Sequence, residues 1–172
     1  MKRVLLALLL LGVLAAFSHA GVMVEGTYGV YSFSDHYFQN MFGTSASVTS
    51  IGIGYELGNF NFLLSGKYLN KIDNKTIKPV GMDFKLFPVM FSMRYVILSG
   101  KFQPFVGLGV SYNRYKEGIE GIGKIVELGS YIRTAKKLYI NILVKSNSLN
   151  FTPPGMKVKL KGFSSEIGLT FK

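Results

Sequence analysis

From Val22 onward, apolar and polar side chains alternate with a period of two, the repeat of a β-strand with two unlike faces. The clearest stretch is Val48 to Leu57. There Thr49, Ile51, Ile53, Tyr55 and Leu57 fall on one face, and Val48, Ser50, Gly52, Gly54 and Glu56 on the other. Gly58-Asn59 follows, and from Phe60 to Lys71 the alternation resumes, with Phe60, Phe62, Leu64 and Tyr68 against Asn61, Leu63, Ser65 and Lys67. A two-residue Gly-Asn between such runs predicts a hairpin. Similar runs occupy Phe105–Asn113, Val126–Arg133, Leu138–Lys145 and Phe163–Phe171, with a less regular one at Val22–Phe33. Met82–Leu98 is apolar on both faces. Val89, Phe91, Met93, Tyr95 and Ile97 are assigned to one side and Ser92 and Arg94 to the other, with Pro88 expected to break or bend the strand because it cannot donate to a ladder.

This makes eight strands, and the connections between them alternate in length. Long ones fall near Ser34–Ser47, Asn70–Met82, Lys116–Gly123 and Asn150–Lys161; short ones are Gly58-Asn59, Ser99–Lys101 and Ala135–Lys137. Long connections at one end and tight turns at the other predict an all-β fold, an eight-stranded antiparallel up-and-down transmembrane β-barrel with the long connections outside the cell.

The two faces decide the solvent. One is almost continuous Val, Ile, Leu, Phe and Tyr. The other carries Gly and Ser together with Glu25, Glu56, Lys67, Arg94, Glu127, Arg133, Lys145 and Glu166. Four acids balance four bases there, as charges must if they are to be paired inside a narrow barrel. The apolar face then meets lipid, and barrel closure satisfies the backbone. Phe60, Phe62, Tyr68, Tyr112, Phe163 and Phe171, near strand ends, are candidates for interfacial girdles. The inverse arrangement is an exported soluble barrel with an apolar cavity. It would leave a surface with sparser charge than soluble domains carry.

Composition agrees. The chain has 172 residues, no Cys, 17% charged residues and 48% hydrophobic ones, with a mean hydropathy of +0.29. Disulfide scaffolds, thiol catalysis and intrinsic disorder are excluded. At the start, Lys2 and Arg3 precede the apolar run Val4–Phe17, and Ser18-His19-Ala20 supplies small residues for cleavage. Residues 1–20 are expected to be a cleaved signal peptide and 21–172 the barrel domain. The net charge of +11 becomes +9 without Lys2 and Arg3, and His36 remains as the single histidine.

Phe102-Gln103-Pro104-Phe105-Val106-Gly107-Leu108-Gly109-Val110-Ser111-Tyr112 resembles a recurrent stretch of small bacterial outer-membrane β-barrels, the OmpW/OmpX-like and general outer-membrane barrel families. Phe87-Pro88-Val89 to Tyr95, running into the Ser99–Lys101 turn, fits the same pattern. The resemblance implies residence in the cell outer membrane beside lipid and lipopolysaccharide. It also implies insertion by the barrel-assembly machinery, with Phe171 as the aromatic assembly signal. In those families the aromatic is the last residue; here Lys172 follows it.

Catalytic and cofactor chemistry find little purchase. His36 beside Asp35 has no partners in the pattern of lipid-modifying barrels, and scattered carboxylates with one histidine make no metal set. Gly52-x-Gly54 and Gly107-x-Gly109 lie inside strands, so a phosphate-binding loop is excluded. The expectation is a barrel without cofactor, a monomer that binds no nucleic acid. Its role is structural or interactive at the cell surface: envelope integrity, adhesion or binding. A narrow channel for small hydrophobic molecules comes second and a lipid-modifying enzyme third. Lys71, Lys75, Lys78, Lys116, Lys157, Lys159 and Lys161 are expected in the long connections, where they suit lipopolysaccharide phosphates. Phe38, Met41, Phe42 and Phe151 offer an apolar rim.

Overall fold

A computed structural model describes residues 21–36, 39, 44–71, 85–114, 120–151 and 158–172. Eight strands follow one another: β1 (Val22–Phe33), β2 (Ser45–Leu57), β3 (Phe60–Lys71), β4 (Lys85–Val96), β5 (Phe102–Arg114), β6 (Glu120–Arg133), β7 (Leu138–Phe151) and β8 (Val158–Phe171). Each pairs antiparallel with the next, and β1 pairs with β8, so the sheet closes into a barrel in sequence order. Closure leaves no strand edge unpaired, which a sheet in hydrocarbon requires.

The strands run 12 to 14 residues, longer than the roughly 9–11 needed to cross a bilayer. The excess lies largely at the long-connection end. β2 starts at Ser45 rather than Val48, β6 at Glu120, and β8 at Val158, while β7 continues to Phe151. The alternation fades there because the wall carries Ser45, Ser47, Ser146, Ser148 and Lys161 where the strands rise past the apolar belt. Backbone pairing continues without hydrophobic contrast.

Pro88 does not end β4. The strand runs through it, and its pairing with β5 is continuous across Pro88↔Asn113. On the β3 side the register passes from Gly66↔Val89 to Leu69↔Leu86 with no pairing between them. The absent N–H interrupts one ladder only, and the barrel absorbs it. In the β2–β3 hairpin, Gly58 has φ +58°. It stands first of the two central residues, as a II′ turn requires.

Large apolar side chains line the outside: Ile51 is 69% exposed and Leu108 63%. Tyr55, Phe60, Tyr95, Phe102 and Phe171 mark the short-turn end of that wall, and Phe60 stacks on Tyr95 at 5.2 Å. Tyr28, Tyr68, Tyr112 and Phe163 stand toward the other end. The inside holds the charged and small polar side chains of the less apolar face, together with a buried apolar cluster that includes Met23, Leu63, Val96, Phe105 and Leu143. Residues 1–20 lie outside the described residues. So do Phe38, Met41, Phe42, Lys75, Lys78, Lys116 and Lys157.

Candidate functional site

The inward alternation of six strands delivers one charged side chain each to the barrel centre: Glu25 from β1, Lys67 from β3, Arg94 from β4, Glu127 from β6, Lys145 from β7 and Glu166 from β8. All six are buried. Strand tilt and register bring them into one connected chain. Arg94 grips Glu25 with Nη1 and Nη2, at 2.6 and 2.9 Å, and donates from Nε to Glu127 at 2.5 Å. Lys145 Nζ lies 3.6 Å from Glu127 and 3.6 Å from Glu166. Lys67 closes the sequence on Glu166 at 2.7 Å. Three acids and three bases thus alternate along one path and sum to zero.

Neutral donors fill the remaining oxygen positions. Thr27 and Ser164 donate to Glu166, each at 2.6 Å, and Thr27 also bonds Ser50. Thr170 donates to Glu25 at 3.3 Å and Lys67 to Ser164 at 3.1 Å. Arg94 Nη1 also reaches the Tyr131 hydroxyl at 2.6 Å, and its guanidinium lies 4.8 Å from the centre of the Phe105 ring. An isolated charge in this setting would cost several kcal/mol. Alternation of sign makes six of them tolerable, and hydrogen bonds serve five; Lys145 Nζ has only its two ion-pair contacts at 3.6 Å.

Room for the network comes from small residues on the same face. A Cβ at Gly107 would lie 3.0 Å from Arg94 Cγ and 3.2 Å from Glu127 Cβ. Glycine there leaves room for the Arg94 stem and the Glu127 side chain to pass each other. Gly26 and Gly66, on the outer face, would meet nothing within 4 Å.

Two residues expected in the interior lie elsewhere. Arg133 holds the inward alternation but sits at the last position of β6, where it is exposed and donates to the Tyr139 hydroxyl at 3.2 Å. Glu56 is near the end of β2, with its side chain 37% exposed, and pairs with Lys172 at 3.0 Å. Both belong to the short-turn mouth because the barrel ends before their side chains are covered. Lys172, absent from the expected set, continues the inward face of β8; its Nζ lies 4.2 Å from the Tyr131 ring centre and 5.3 Å from that of Tyr139. Tyr131, four residues beyond Glu127, was legible by the same alternation. Phe171 faces outward, 49% exposed, in register with Leu138 and Val24. His36 is exposed where the chain leaves β1.

Among the described residues no three His, Cys, Asp or Glu side chains gather as a metal set.

Solved structures share this architecture. The crystal structure of Neisserial surface protein A superposes with a TM-score of 0.71 at 16% identity, covering 89% of this chain and 97% of that one. The N-terminal barrel domain of Pseudomonas aeruginosa OprF gives 0.52 at 10% identity, covering 88% and 97%. A de novo designed transmembrane barrel gives 0.51 at 12% identity, covering 88% and 95%. No curated protein sequence matches. The profile of the outer membrane protein β-barrel domain family matches residues 4–171. The fold, the polar interior and the apolar belt are those of a protein of the cell outer membrane, and the chain belongs to the outer membrane protein β-barrel domain family.

Proposed function

We propose that this protein is a closed, non-conducting and non-catalytic barrel. It acts as a monomer, holding its long connections at the cell surface for envelope integrity, adhesion or binding. The observation that carries this reading is the neutral six-residue network across the barrel centre, with Arg94 0% exposed. An eight-stranded barrel has an interior just wide enough to be filled by side chains. Here the filling is ionic and cross-braced between six strands, so a solute could pass only by separating paired charges. A channel for small hydrophobic molecules is disfavoured by the same groups, which offer no apolar path. Phe171, outward at the short-turn end, is accessible for recognition by the barrel-assembly machinery.

The test is electrical. Protein refolded into a planar bilayer should show no discrete conductance steps. Liposomes containing it should take up small hydrophobic solutes no faster than empty ones. Steady conductance from the unaltered protein, or uptake abolished by Gly107→Leu, would replace this reading with the channel.

A further inference from the structure

The outer wall is largely apolar, with serines toward the long connections and two exposed lysines, one on β6 and one on β8. On β6 the outward series reads Ile122, Lys124, Val126, Leu128, and on β8 it reads Lys161, Phe163, Ser165, Ile167. Lys124 and Lys161 are both exposed. The register joins them: Lys124 pairs with Ser148 of β7, and Ser148 pairs with Lys161. Two lysines therefore flank a serine in one row across three strands. At a strand spacing of ~4.8 Å their Cα atoms are about 10 Å apart. A lysine stem can extend several ångströms while its head stays in a polar layer. Both ammonium groups can thus converge on one anionic headgroup.

The height of this row identifies the occupant. One step below it in the register runs Val126–Ser146–Phe163, and below that Leu128–Val144–Ser165. Val126, Phe163, Leu128 and Val144 are exposed apolar side chains of the lipid-facing belt. On β6 only Ile122, paired with Tyr112, is described as exposed and apolar beyond the row, so the row lies near the end of the belt toward the long connections, which in such barrels face outside. It therefore occupies the headgroup layer of the outer leaflet, and hydrocarbon chains lie against the wall directly beneath. Glu25, Glu127 and Glu166 are buried inside the barrel, behind that wall. β6 begins at Glu120, four positions before Lys124, with Arg114 as its register partner.

We propose that Lys124, Ser148 and Lys161 form a binding site for the phosphorylated sugar headgroup of an outer-leaflet glycolipid, with its acyl chains along Val126, Val144 and Phe163. The site rests on the orientation adopted above but is separate from the loops. Lys161 is a wall residue of β8 and not part of a connection.

The test uses the whole barrel in zwitterionic detergent micelles, titrated with diphosphoryl lipid A and read by native mass spectrometry. The unaltered protein should retain one lipid A molecule. Lys124→Gln/Lys161→Gln should bind it roughly thirtyfold more weakly, at about a fivefold effect per surface lysine. Lys124→Arg/Lys161→Arg should keep the affinity, as should Lys136→Gln/Lys137→Gln at the opposite end. A mobility difference between boiled and unboiled samples checks that each variant has a closed barrel. Undiminished binding by the double Gln variant would overturn the site. So would equal competition by phosphatidylglycerol, which would mean general anion attraction, or displacement by inorganic phosphate at matching concentration. Failure with a closed, silent barrel leaves the non-conducting reading standing; conductance with lipid A still bound removes only that reading.

Discussion

Two ion-pair systems share the inward face of these strands and differ in depth. At the centre, Arg94 is wholly buried and holds Glu25 and Glu127 at 2.5 to 2.9 Å. At the short-turn mouth, Glu56 keeps 37% of its side chain exposed beside Lys172, and Arg133 is open to water. The residue types are alike and the alternation is the same. What differs is how much wall surrounds each charge, and that decides what the charge is worth. A surface pair contributes about 0–1 kcal/mol. Removing one partner of a buried pair costs about 3–5 kcal/mol, because the other is left charged without compensation.

The largest effect should follow Arg94→Met, which strands Glu25 and Glu127 together. Urea unfolding of protein refolded in lipid vesicles should show about 3–5 kcal/mol of lost stability. Adding Glu25→Gln should restore a good part of it, since Glu127, Lys145, Glu166 and Lys67 then remain as a neutral set. If the double variant were no more stable than the single one, the loss would come from packing on Phe105 and not from unpaired charge. A second break attacks the outer wall. Leu108→Lys puts an ammonium into the apolar belt at a side chain that is 63% exposed. A lysine at the bilayer midplane costs about 2–4 kcal/mol, falling toward the interfaces. The same substitution should be nearly silent if that face met water, so a neutral result would reverse the two walls.

Gly107→Val sharpens the comparison inside. Its new Cβ would stand 3.0 Å from Arg94 Cγ, and overpacking of this kind costs about 1–3 kcal/mol. Gly66→Val, on the open outer face, should be far milder by the same unfolding measurement.

Much of this was legible in the residues, and the gaps have a common cause. The period of two assigns each side chain to a face, so Glu25, Lys67, Arg94, Glu127, Lys145 and Glu166 were placed inside from the sequence, and the structure gathers all six. The period says nothing of height. Glu56 and Arg133 obey it and still lie at the mouth, because height depends on where the strand ends and on barrel stagger. Pairing was equally hidden. Lys67 meets Glu166 99 residues away through shear across several strands, not through proximity in the chain. Strand ends were underestimated for a related reason: beyond the belt both faces are polar, as at Ser146 and Ser148, and the contrast that marks a strand disappears. The basic row at Lys124 is hidden in the sequence because a charge in an apolar series reads as the start of a loop.

The mouth gives the smallest and most discriminating effect. Glu56→Gln removes the partner of Lys172, yet that ammonium still has the Tyr131 and Tyr139 rings within 4.2 and 5.3 Å. Its side chain keeps 9% exposure at the barrel end, beside the 37% of Glu56. The expected loss is at most about 1 kcal/mol, and it should shrink as salt is raised because partly exposed pairs are screened. The deficit caused by Arg94→Met should change little over the same salt range, since water and ions do not reach the centre. Equal salt sensitivity at both places would mean that solvent enters the network. The barrel would then be wet throughout, and the difference in depth between the two ion-pair systems would no longer explain their energies.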